Sequence, residues 1–451
     1  MIPEGFLNKM KEILGEEYGE FVRELSLPRV RGLRINRLKA RELSDREYVP
    51  FDISKIEYTE GGYVLNSEMP VGASPEHHAG IIYMQDPGAM SALSAIDIKP
   101  DMWVADLCSA PGGKSSQIAE RLSDGGFLLS NEYVPKRAKT VVSNFERLGV
   151  RHALVTSLDT GELTKMFDSV FDLVVCDAPC SGEGMFRKSE DAVELWSEEN
   201  VAQCAERQRG IIDNAVKLVK DGGHLLYSTC TYSREENEDV IEYILSNHPE
   251  FSLIPVKESL KRATRDGLSP YTDARRFYPH VTPGEGQFVA LFKKADSGKQ
   301  GKILIKDESR PLSKQEEGAV MGFLKENLRE IPKGILRKVG ENIVLIDHDC
   351  PIPKRGVFMS GILIGELRGS TLTPSHQLFS ALGRLFIRNF ELSDKPRLAE
   401  KYLLGEEIDA PSESMRGYVA LLFRGAPIGG GKASGGRIKN HYPKGLRNRN
   451  N

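Results

Sequence analysis

The sequence is poor in cysteine, with six residues scattered among 451. So few cysteines in so long a chain cannot form the disulfide framework of a small secreted domain. Cys176 and Cys180 have the spacing of half a zinc site, but no second Cys or His pair follows at ligand spacing. The sequence therefore predicts reduced cysteines and no metal ion.

Long apolar runs and a strong excess of charge are also missing. No segment approaches the roughly 18 apolar residues that a membrane span requires, and the charged start of the chain lacks the apolar region of a signal peptide. The formal net charge of −3 provides no general attraction to nucleic acid, so an RNA-binding surface would have to be a local patch. We expect a monomeric, cytoplasmic protein without a membrane partner.

The length and the local patterns predict several domains. Residues 4–25 have helical apolar spacing and residues 29–36 alternate basic and apolar side chains, so residues 1–75 are predicted to form an α+β RNA-binding module. Residues 76–295 alternate strands and helices, which is typical of a doubly wound parallel sheet. A polar linker at 294–301 precedes two smaller predicted domains, 312–370 and 371–451, with an internal break near 371–374. Short apolar segments in this region, such as 343–346 and 357–364, indicate mixed helix and strand.

A glycine-containing loop between a predicted strand, 103–107, and a helix is typical of a nucleotide-type site. Glycine lets the backbone approach a ligand closely, and a helix start offers unpaired N–H groups. Acidic residues follow the next strands, and Glu132 has the spacing of a carboxylate that binds ribose. The predicted cofactor contacts are the loop and these acidic residues: Cys108, Ser109, Ala110, Pro111, Gly112, Gly113, Lys114, Glu132, Asp159 and Asp177.

Two further cysteines, Cys180 and Cys230, lie just past apolar runs that we interpret as buried strands. The carboxyl ends of such strands face the ligand crevice of an open α/β sheet. The two thiols are therefore predicted to meet beside the nucleotide-type loop and to perform covalent chemistry on a base, in roles that the residues alone leave interchangeable. Cys176 and Cys204, within a strand and a helix, are instead interpreted as small buried hydrophobes.

Three motifs in this order resemble the signatures of the Sun-type RNA cytosine-5 methyltransferases: residues 106–114, 177–182 and 227–231. Residues 236–238 match the family's ENE element, and 276–280 with 284–288 resemble the segment that closes its catalytic domain. Residues 437–447 resemble the end of the C-terminal RNA-binding region in the RsmF-type bacterial enzymes of this family. Ser109 departs from the alanine that is common at its position.

The resemblance implies a Rossmann-like class I methyltransferase domain, a small N-terminal α+β domain and a C-terminal PUA-like RNA-binding region. It also implies S-adenosylmethionine as cofactor and methyl transfer to C5 of cytosine in RNA, with 16S ribosomal RNA or the small subunit as partner. Attack on C6 is assigned to Cys230 and product release to Cys180. We expect Lys114 to supply positive charge and Asp177 to contact the N3/N4 edge of cytosine. Thiolate addition to C6 makes C5 able to attack an electrophilic methyl group.

Phosphate contacts are predicted for basic residues at both ends of the chain. They are Arg29, Arg31, Arg34, Arg37, Lys432, Arg437, Lys439, Lys444, Arg447 and Arg449. The last stretch, 429–449, contains no carboxylate side chain, a composition that is also typical of a solvated tail.

Three alternatives compete with this interpretation. An enzyme that methylates an exocyclic nitrogen would carry Asn/Asp-Pro-Pro-Tyr/Phe where residues 177–180 read DAPC. A non-catalytic RNA-binding factor for ribosome assembly is disfavoured by the intact loop and by the presence of both cysteines. Transfer RNA is the alternative substrate, because the same catalytic core can serve both kinds of RNA.

Overall fold

The computed structural model describes residues 2–40, 44–123 and 125–447; the predicted phosphate contact Arg449 lies outside this range. The N-terminal elements are α1 (Glu4–Leu14), α2 (Tyr18–Leu25), β1 (Gly32–Ile35), α3 (Asp45–Tyr48), β2 (Ile53–Lys55), β3 (Gly62–Leu65), α4 (Pro75–His78), β4 (Ile82–Met84) and α5 (Pro87–Ser91). The strands form one sheet in the order β2-β3-β1-β4. The helix predicted over 4–25 is divided, because a 3₁₀ turn follows Gly15, whose φ is +53°.

A large sheet occupies the centre of the molecule. Its elements are β5 (Trp103–Asp106), α6 (Gly113–Ala119), β6 (Phe127–Asn131), α7 (Pro135–Leu148), β7 (Ala153–Thr156), α8 (Thr160–Leu163), β8 (Phe167–Asp168), β9 (Phe171–Asp177), α9 (Glu190–Glu194), α10 (Glu198–Leu218), β10 (Val219–Thr229), α11 (Glu238–Asn247), β11 (Phe251–Ile254), α12 (Glu258–Ala263), β12 (Arg265–Asp266), β13 (Arg275–Phe277) and β14 (Gln287–Lys294). Strands β10, β9, β5, β6 and β7 run parallel side by side. Separate apolar cores cover both faces, which explains the apolar runs within these strands, such as residues 173–176 of β9.

The C-terminal region forms two further sheets. Its elements are β15 (Lys302–Ile303), β16 (Arg310–Pro311), α13 (Lys314–Asn327), β17 (Ile335–Val339), β18 (Asn342–Ile346), β19 (Val357–Ser360), β20 (Ile362–Arg368), β21 (Thr371–Pro374), α14 (His376–Leu382), β22 (Asn389–Glu391), α15 (Pro396–Leu404), β23 (Ile408–Asp409), β24 (Gly417–Phe423), β25 (Ala426–Ser434) and β26 (Arg437–Asn440). The sheet orders are β16-β17-β18-β20-β21 and β22-β24-β25-β26-β23.

Three C-terminal expectations change. The apolar segment 357–364 is two strands, because the chain turns at Gly361 (φ +58°); β19 joins β7 of the central sheet and β20 pairs with β18. Strand β21 pairs with β20, so we propose that the last domain begins after Pro374 rather than at 371. Residues 429–440 are not a solvated tail, since they lie in the paired strands β25 and β26.

The N-terminal module contacts the rest of the chain on two sides. Its sheet shares an apolar core with the last sheet, where His78 Nδ1 lies 2.7 Å from Tyr442 Oη. Helices α1 and α2 place Phe6 and Phe21 against Tyr232, directly after the second cysteine motif. The N-terminal helices therefore support a loop of the central domain. Among the described residues, no helix combines the length and the apolar content needed to cross a bilayer.

Candidate active site

The structure brings the thiols of Cys180 and Cys230 together. Strands β9 and β10 are parallel neighbours, with Asp177 opposite Ser228, so the two chains leave the sheet side by side. Cys180 lies three residues past β9 and Cys230 directly after β10. Their Sγ atoms are 3.2 Å apart, and both side chains are partly exposed. One small ligand could therefore contact both sulfur atoms.

Hydrogen bonding and burial affect the thiols at this edge of the sheet. The hydrogen bond with Cys230, together with burial, raises the pKa of Cys180 well above the usual value for a thiol. Either sulfur can donate in the contact between Cys180 and Cys230, so the geometry leaves their roles interchangeable. Cys108 lies in the predicted cofactor loop, and a hydrogen bond with Cys176 together with burial raises its pKa as well.

Asp177 and Lys114 form an ion pair at the same edge of the sheet. Lys114 Nζ donates to Asp177 Oδ2 at 2.7 Å, and the lysine is only 7% exposed. Ser228 Oγ donates to the other carboxylate oxygen at 2.6 Å, and Gln287 Nε2 lies 3.3 Å from it. The carboxylate is thus oriented by three donors, two of which, Ser228 and Gln287, had no predicted role.

The predicted cofactor loop and the strand before it contain buried oxygen atoms that can bind a ligand. Gly112 has φ +104°, a conformation that favours glycine, and α6 begins at Gly113. Among the described atoms, none makes a hydrogen bond to the buried Asp106 Oδ1 or Ser109 Oγ. Glu132 is buried at the end of β6, with Oε1 accepting from the Val134 N–H at 3.0 Å. A nucleoside with hydroxyl and ammonium donors fits these acceptors.

Two residues beside this loop have structural tasks. Asp159 is exposed after β7, and its Oδ1 accepts the Gly161 N–H at 2.8 Å to cap α8. Asn131 is buried and donates to the carbonyl groups of Leu107 and Leu158 at 3.3 and 3.0 Å. Asn131 therefore ties three neighbouring strand ends together. No role was predicted for this residue.

The buried carboxyl of Asp106 should make the stability of the folded protein depend on pH. Burial raises the pKa of Asp106 to about 7 in the folded protein, against a usual value of about 3.9. Between about pH 4 and pH 7 the native state binds one more proton than the unfolded state, so this carboxyl lowers stability as pH rises. We expect the melting temperature of Asp106→Asn, relative to the parent protein, to increase from pH 5 to pH 8 in calorimetry. A difference that stays constant over this range would contradict the assignment.

The predicted RNA contacts require one correction. Arg34 is 1% exposed and cannot reach a phosphate, because its guanidinium bonds Gln85 Oε1 at 2.8 Å, Ser116 Oγ at 2.7 Å and the carboxylate of Glu120. It holds the start of α6 and the N-terminal module together. Arg31 donates to two carbonyl groups of its own module, at 2.9 and 3.0 Å, whereas Arg29 and Arg37 are exposed.

At the other end of the chain, Lys432, Lys439 and Lys444 are exposed. Arg437 pairs with Asp409, and Arg447 donates to the carbonyl of Tyr442. The last sheet therefore presents exposed lysines rather than a continuous row of unpaired arginines.

A buried carboxylate between the cysteine loops, Glu183, was missed by the sequence analysis. It accepts from Thr231 Oγ1, the Tyr232 N–H, Ser233 Oγ and Trp196 Nε1, at 2.7, 2.8, 2.6 and 2.9 Å. The only signal in the sequence is a lone glutamate between two glycines, three residues after Cys180. Such a residue has no recognisable pattern until the two loops are folded together.

Comparisons with known proteins agree with this geometry. Residues 93–293 match the family model for 16S rRNA methyltransferase RsmB/F, residues 2–87 the N-terminal domain of 16S rRNA methyltransferase RsmF, and residues 388–448 the methyltransferase RsmF PUA domain. Ribosomal RNA small subunit methyltransferase F of Vibrio campbellii is 31% identical over 99% of this chain and 97% of its own. The Escherichia coli protein of that name is 29% identical over 98% and 96%.

Solved structures show the same fold. A methyltransferase homolog protein from Pyrococcus horikoshii has a TM-score of 0.54 and 27% identity, over 65% of this chain and 95% of its own. NSun6 from the same organism, solved with SFG, has a TM-score of 0.55 at 19% identity, over 65% and 99%, and supports the fold alone. The predicted fold class and the resemblance to RsmF-type enzymes are confirmed. The chain belongs to the RsmB/F family of 16S rRNA methyltransferases.

Proposed function

We propose that the protein transfers a methyl group from S-adenosylmethionine to C5 of a cytosine in 16S ribosomal RNA through a covalent adduct of Cys230 with C6. The observation that carries this proposal is the 3.2 Å contact between Cys180 and Cys230 beside the Lys114–Asp177 ion pair. The names of the full-length relatives support the choice of ribosomal RNA. We retain the predictions that the protein is monomeric and cytoplasmic.

The cofactor would be held by the loop after β5 and by the next strand end. The Asp106 and Ser109 oxygens and the carboxylate of Glu132 are available acceptors there. Bound S-adenosylmethionine supplies an electrophilic methyl group. Lys114, at the start of α6, keeps its ammonium group turned toward Asp177, so the loop and the catalytic carboxylate are oriented together.

The thiol pair suits addition followed by elimination. We assign the attack to Cys230, as the resemblance to the Sun-type enzymes implies, and the attack of its thiolate forms the Sγ–C6 bond. Asp177 can accept from the exocyclic N4–H₂ of cytosine, a contact typical of carboxylates. In the second half, a base removes the C5 proton, the C5=C6 bond re-forms and the Sγ–C6 bond breaks. We assign assistance of this release step to Cys180, whose Sγ lies 3.2 Å from that of Cys230.

The target base must leave its stack before the Cys230 thiol can reach C6, at a cost of a few kcal/mol unless it is already unpaired. RNA contacts outside the active site would offset this cost. Lys432 and Lys439 are directly opposite on β25 and β26, and Lys432 Nζ lies 5.4 Å from the ring centroid of Tyr418. Like charges placed opposite each other destabilise a sheet. We propose that this lysine pair binds RNA phosphates.

The double variant Lys432→Gln, Lys439→Gln is expected to weaken RNA binding by about 10-fold at low salt. It should also reduce the slope of log affinity against log salt by about 1.5, because two phosphate contacts are lost. Filter binding across a salt series measures both quantities. The matched control is Lys299→Gln, Lys395→Gln, which removes two lysines already paired with Asp168 and Asp394. An equal slope for both double variants would exclude the lysine pair as an RNA contact.

The function itself is tested by methyl incorporation. The purified protein is incubated with tritiated S-adenosylmethionine and with 16S RNA, small subunits or transfer RNA, followed by bisulfite sequencing of the labelled product. We expect label in 16S RNA at cytosine that resists bisulfite. Label confined to transfer RNA, or label that bisulfite does not locate at cytosine C5, would contradict the proposal.

A further inference from the structure

A buried chain of oxygen atoms links the two cysteine loops. Thr231 Oγ1 lies 2.7 Å from Glu183 Oε2 and 2.9 Å from Ser181 Oγ, and Ser181 Oγ is hydrogen-bonded to Glu236 Oε2. Ser181 follows Cys180 and Thr231 follows Cys230, so the chain passes directly behind both thiols. All four residues are at most 7% exposed, and water has little access to them.

The chain contains three oxygen–oxygen contacts, and each hydrogen bond needs one proton. The hydroxyl groups of Ser181 and Thr231 provide only two protons. If both glutamates were ionised, each hydroxyl would donate to its carboxylate and the 2.9 Å contact between the hydroxyls would hold no proton. Three hydrogen bonds therefore require one further proton, on one of the two carboxyl groups.

The other contacts of the two carboxyl groups decide between them. Beyond Thr231, Glu183 accepts from three donors: the Tyr232 N–H, Ser233 Oγ and Trp196 Nε1. Hydrogen bonds of this kind stabilise the charged form of a carboxylate. Glu236 Oε1 accepts from the Ser181 N–H and Gln208 Nε2, both at 2.9 Å, whereas Oε2 contacts only the Ser181 hydroxyl. A proton on Glu236 Oε2 would point at the Ser181 hydroxyl, which can accept it. A proton on any of the other carboxylate oxygens would point at a group that must donate.

We infer that Glu183 and Glu236 are positioning residues that share one proton: neutral Glu236 donates to Ser181, Ser181 to Thr231, and Thr231 to ionised Glu183. In agreement, burial raises the pKa of Glu236 to about 7. The titratable groups that face it are Glu183, Cys180, Cys204 and Tyr227, and none of these carries a positive charge. This series of hydrogen bonds, all donated in one direction, fixes the position of the two cysteine loops relative to each other. This inference rests on the proposed roles of Cys180 and Cys230.

A matched pair of substitutions separates the two carboxyl groups. In Glu236→Gln, the amide oxygen can replace Oε1 and the NH₂ group can donate to Ser181, as the proposed neutral carboxyl does. In Glu183→Gln, either orientation of the amide turns NH₂ toward an N–H donor, that of Tyr232 or that of Trp196. The two variants make the same Glu-to-Gln change at buried sites, but only Glu183→Gln removes a charge and leaves donors unpaired.

The experiment measures single-turnover methyl transfer by the full-length protein. We expect Glu236→Gln to stay within about 3-fold of the parent and Glu183→Gln to fall by about 30-fold, the effect of leaving a buried donor unpaired, with unchanged S-adenosylmethionine affinity. Infrared difference spectra provide a second readout that does not need an active or stable Glu183→Gln protein. Below neutral pH, the parent should show a C=O stretching component of a neutral carboxylic acid that is missing from Glu236→Gln, while the component of Asp106 stays in both proteins.

Two results would overturn the proton assignment: equal activity of the two glutamine variants, or a carboxylic acid spectrum that is the same in the parent and in Glu236→Gln. Either result leaves the proposed function intact as long as Cys230→Ala, assayed alongside, is inactive. Methyl transfer by Cys230→Ala would instead overturn the proposed function. The two failures are therefore distinguishable in one set of assays.

Discussion

Replacing Cys230 by alanine is expected to lower methyl transfer by at least about 10⁴-fold, because the reaction then lacks the nucleophile that makes C5 reactive. Cys180→Ser should have a different effect. It keeps the attacking thiol but replaces the group that assists elimination, so a covalent RNA–protein complex should accumulate. Tritiated methyl incorporation measures the first effect, and a shifted band on a denaturing gel measures the second.

Cys204→Ala is the matched control for both cysteine variants. Cys204 lies on α10, is buried, and its Sγ makes a long contact of 3.8 Å with Asn200 Oδ1. Its substitution should leave the rate of methyl transfer near that of the parent and produce no covalent complex. The assignment of roles would be wrong if Cys180→Ser were the inactive variant and Cys230→Ala accumulated the complex. Activity in Cys230→Ala would exclude nucleophilic catalysis by this residue altogether.

Arg276→Met is expected to lower the free energy of unfolding by about 3–5 kcal/mol, because it leaves the carboxylate of Glu238 buried without its partner. Arg276 and Glu238 are 2% and 0% exposed and form a two-point ion pair, with Nε donating at 2.7 Å. Arg276 also donates to the carbonyl of Tyr232 at 2.8 Å, two residues after Cys230. Urea denaturation measures the loss.

Two further variants test whether the unpaired charge causes this loss. The double variant Arg276→Met, Glu238→Leu should recover most of the lost stability, since replacing both partners of a buried pair by apolar residues is often neutral. Arg262→Met removes a guanidinium from the exposed pair with Glu258 and should change stability very little. If the double variant is no more stable than Arg276→Met alone, lost packing rather than unpaired charge is responsible.

The central sheet could be predicted from the sequence because it is buried on both faces. Strands such as β5, β6 and β9 contain apolar runs because apolar cores cover them on both sides, and such runs can be recognised in the sequence alone. In contrast, the segment 357–364 is one apolar run in the sequence but contributes strands to two different sheets. The turn at Gly361 and the pairing of β19 with β7 depend on residues about 200 positions away.

The basic N-terminal strand shows the same limit for side chains. Arg29, Arg31 and Arg34 alternate with apolar residues, and the sequence offers no reason to treat them differently. The structure buries Arg34 against Glu120, turns Arg31 onto carbonyl groups of its own module and leaves Arg29 exposed. Charge pattern alone cannot separate a residue that binds RNA from one that joins two domains.

The sequence by itself determined the fold class, the ordered motifs and the meeting of two thiols at one edge of a sheet, because strand order and motif position are local and topological properties. Only the tertiary structure decided that the two Sγ atoms lie 3.2 Å apart, that Asp177 is oriented by three donors, and that Glu183 and Glu236 lie behind both cysteine loops. These features are set by distances of about 3 Å between segments that are far apart in the chain. Hydrogen bonds and burial act over such distances, and neither can be recognised from local patterns in the sequence.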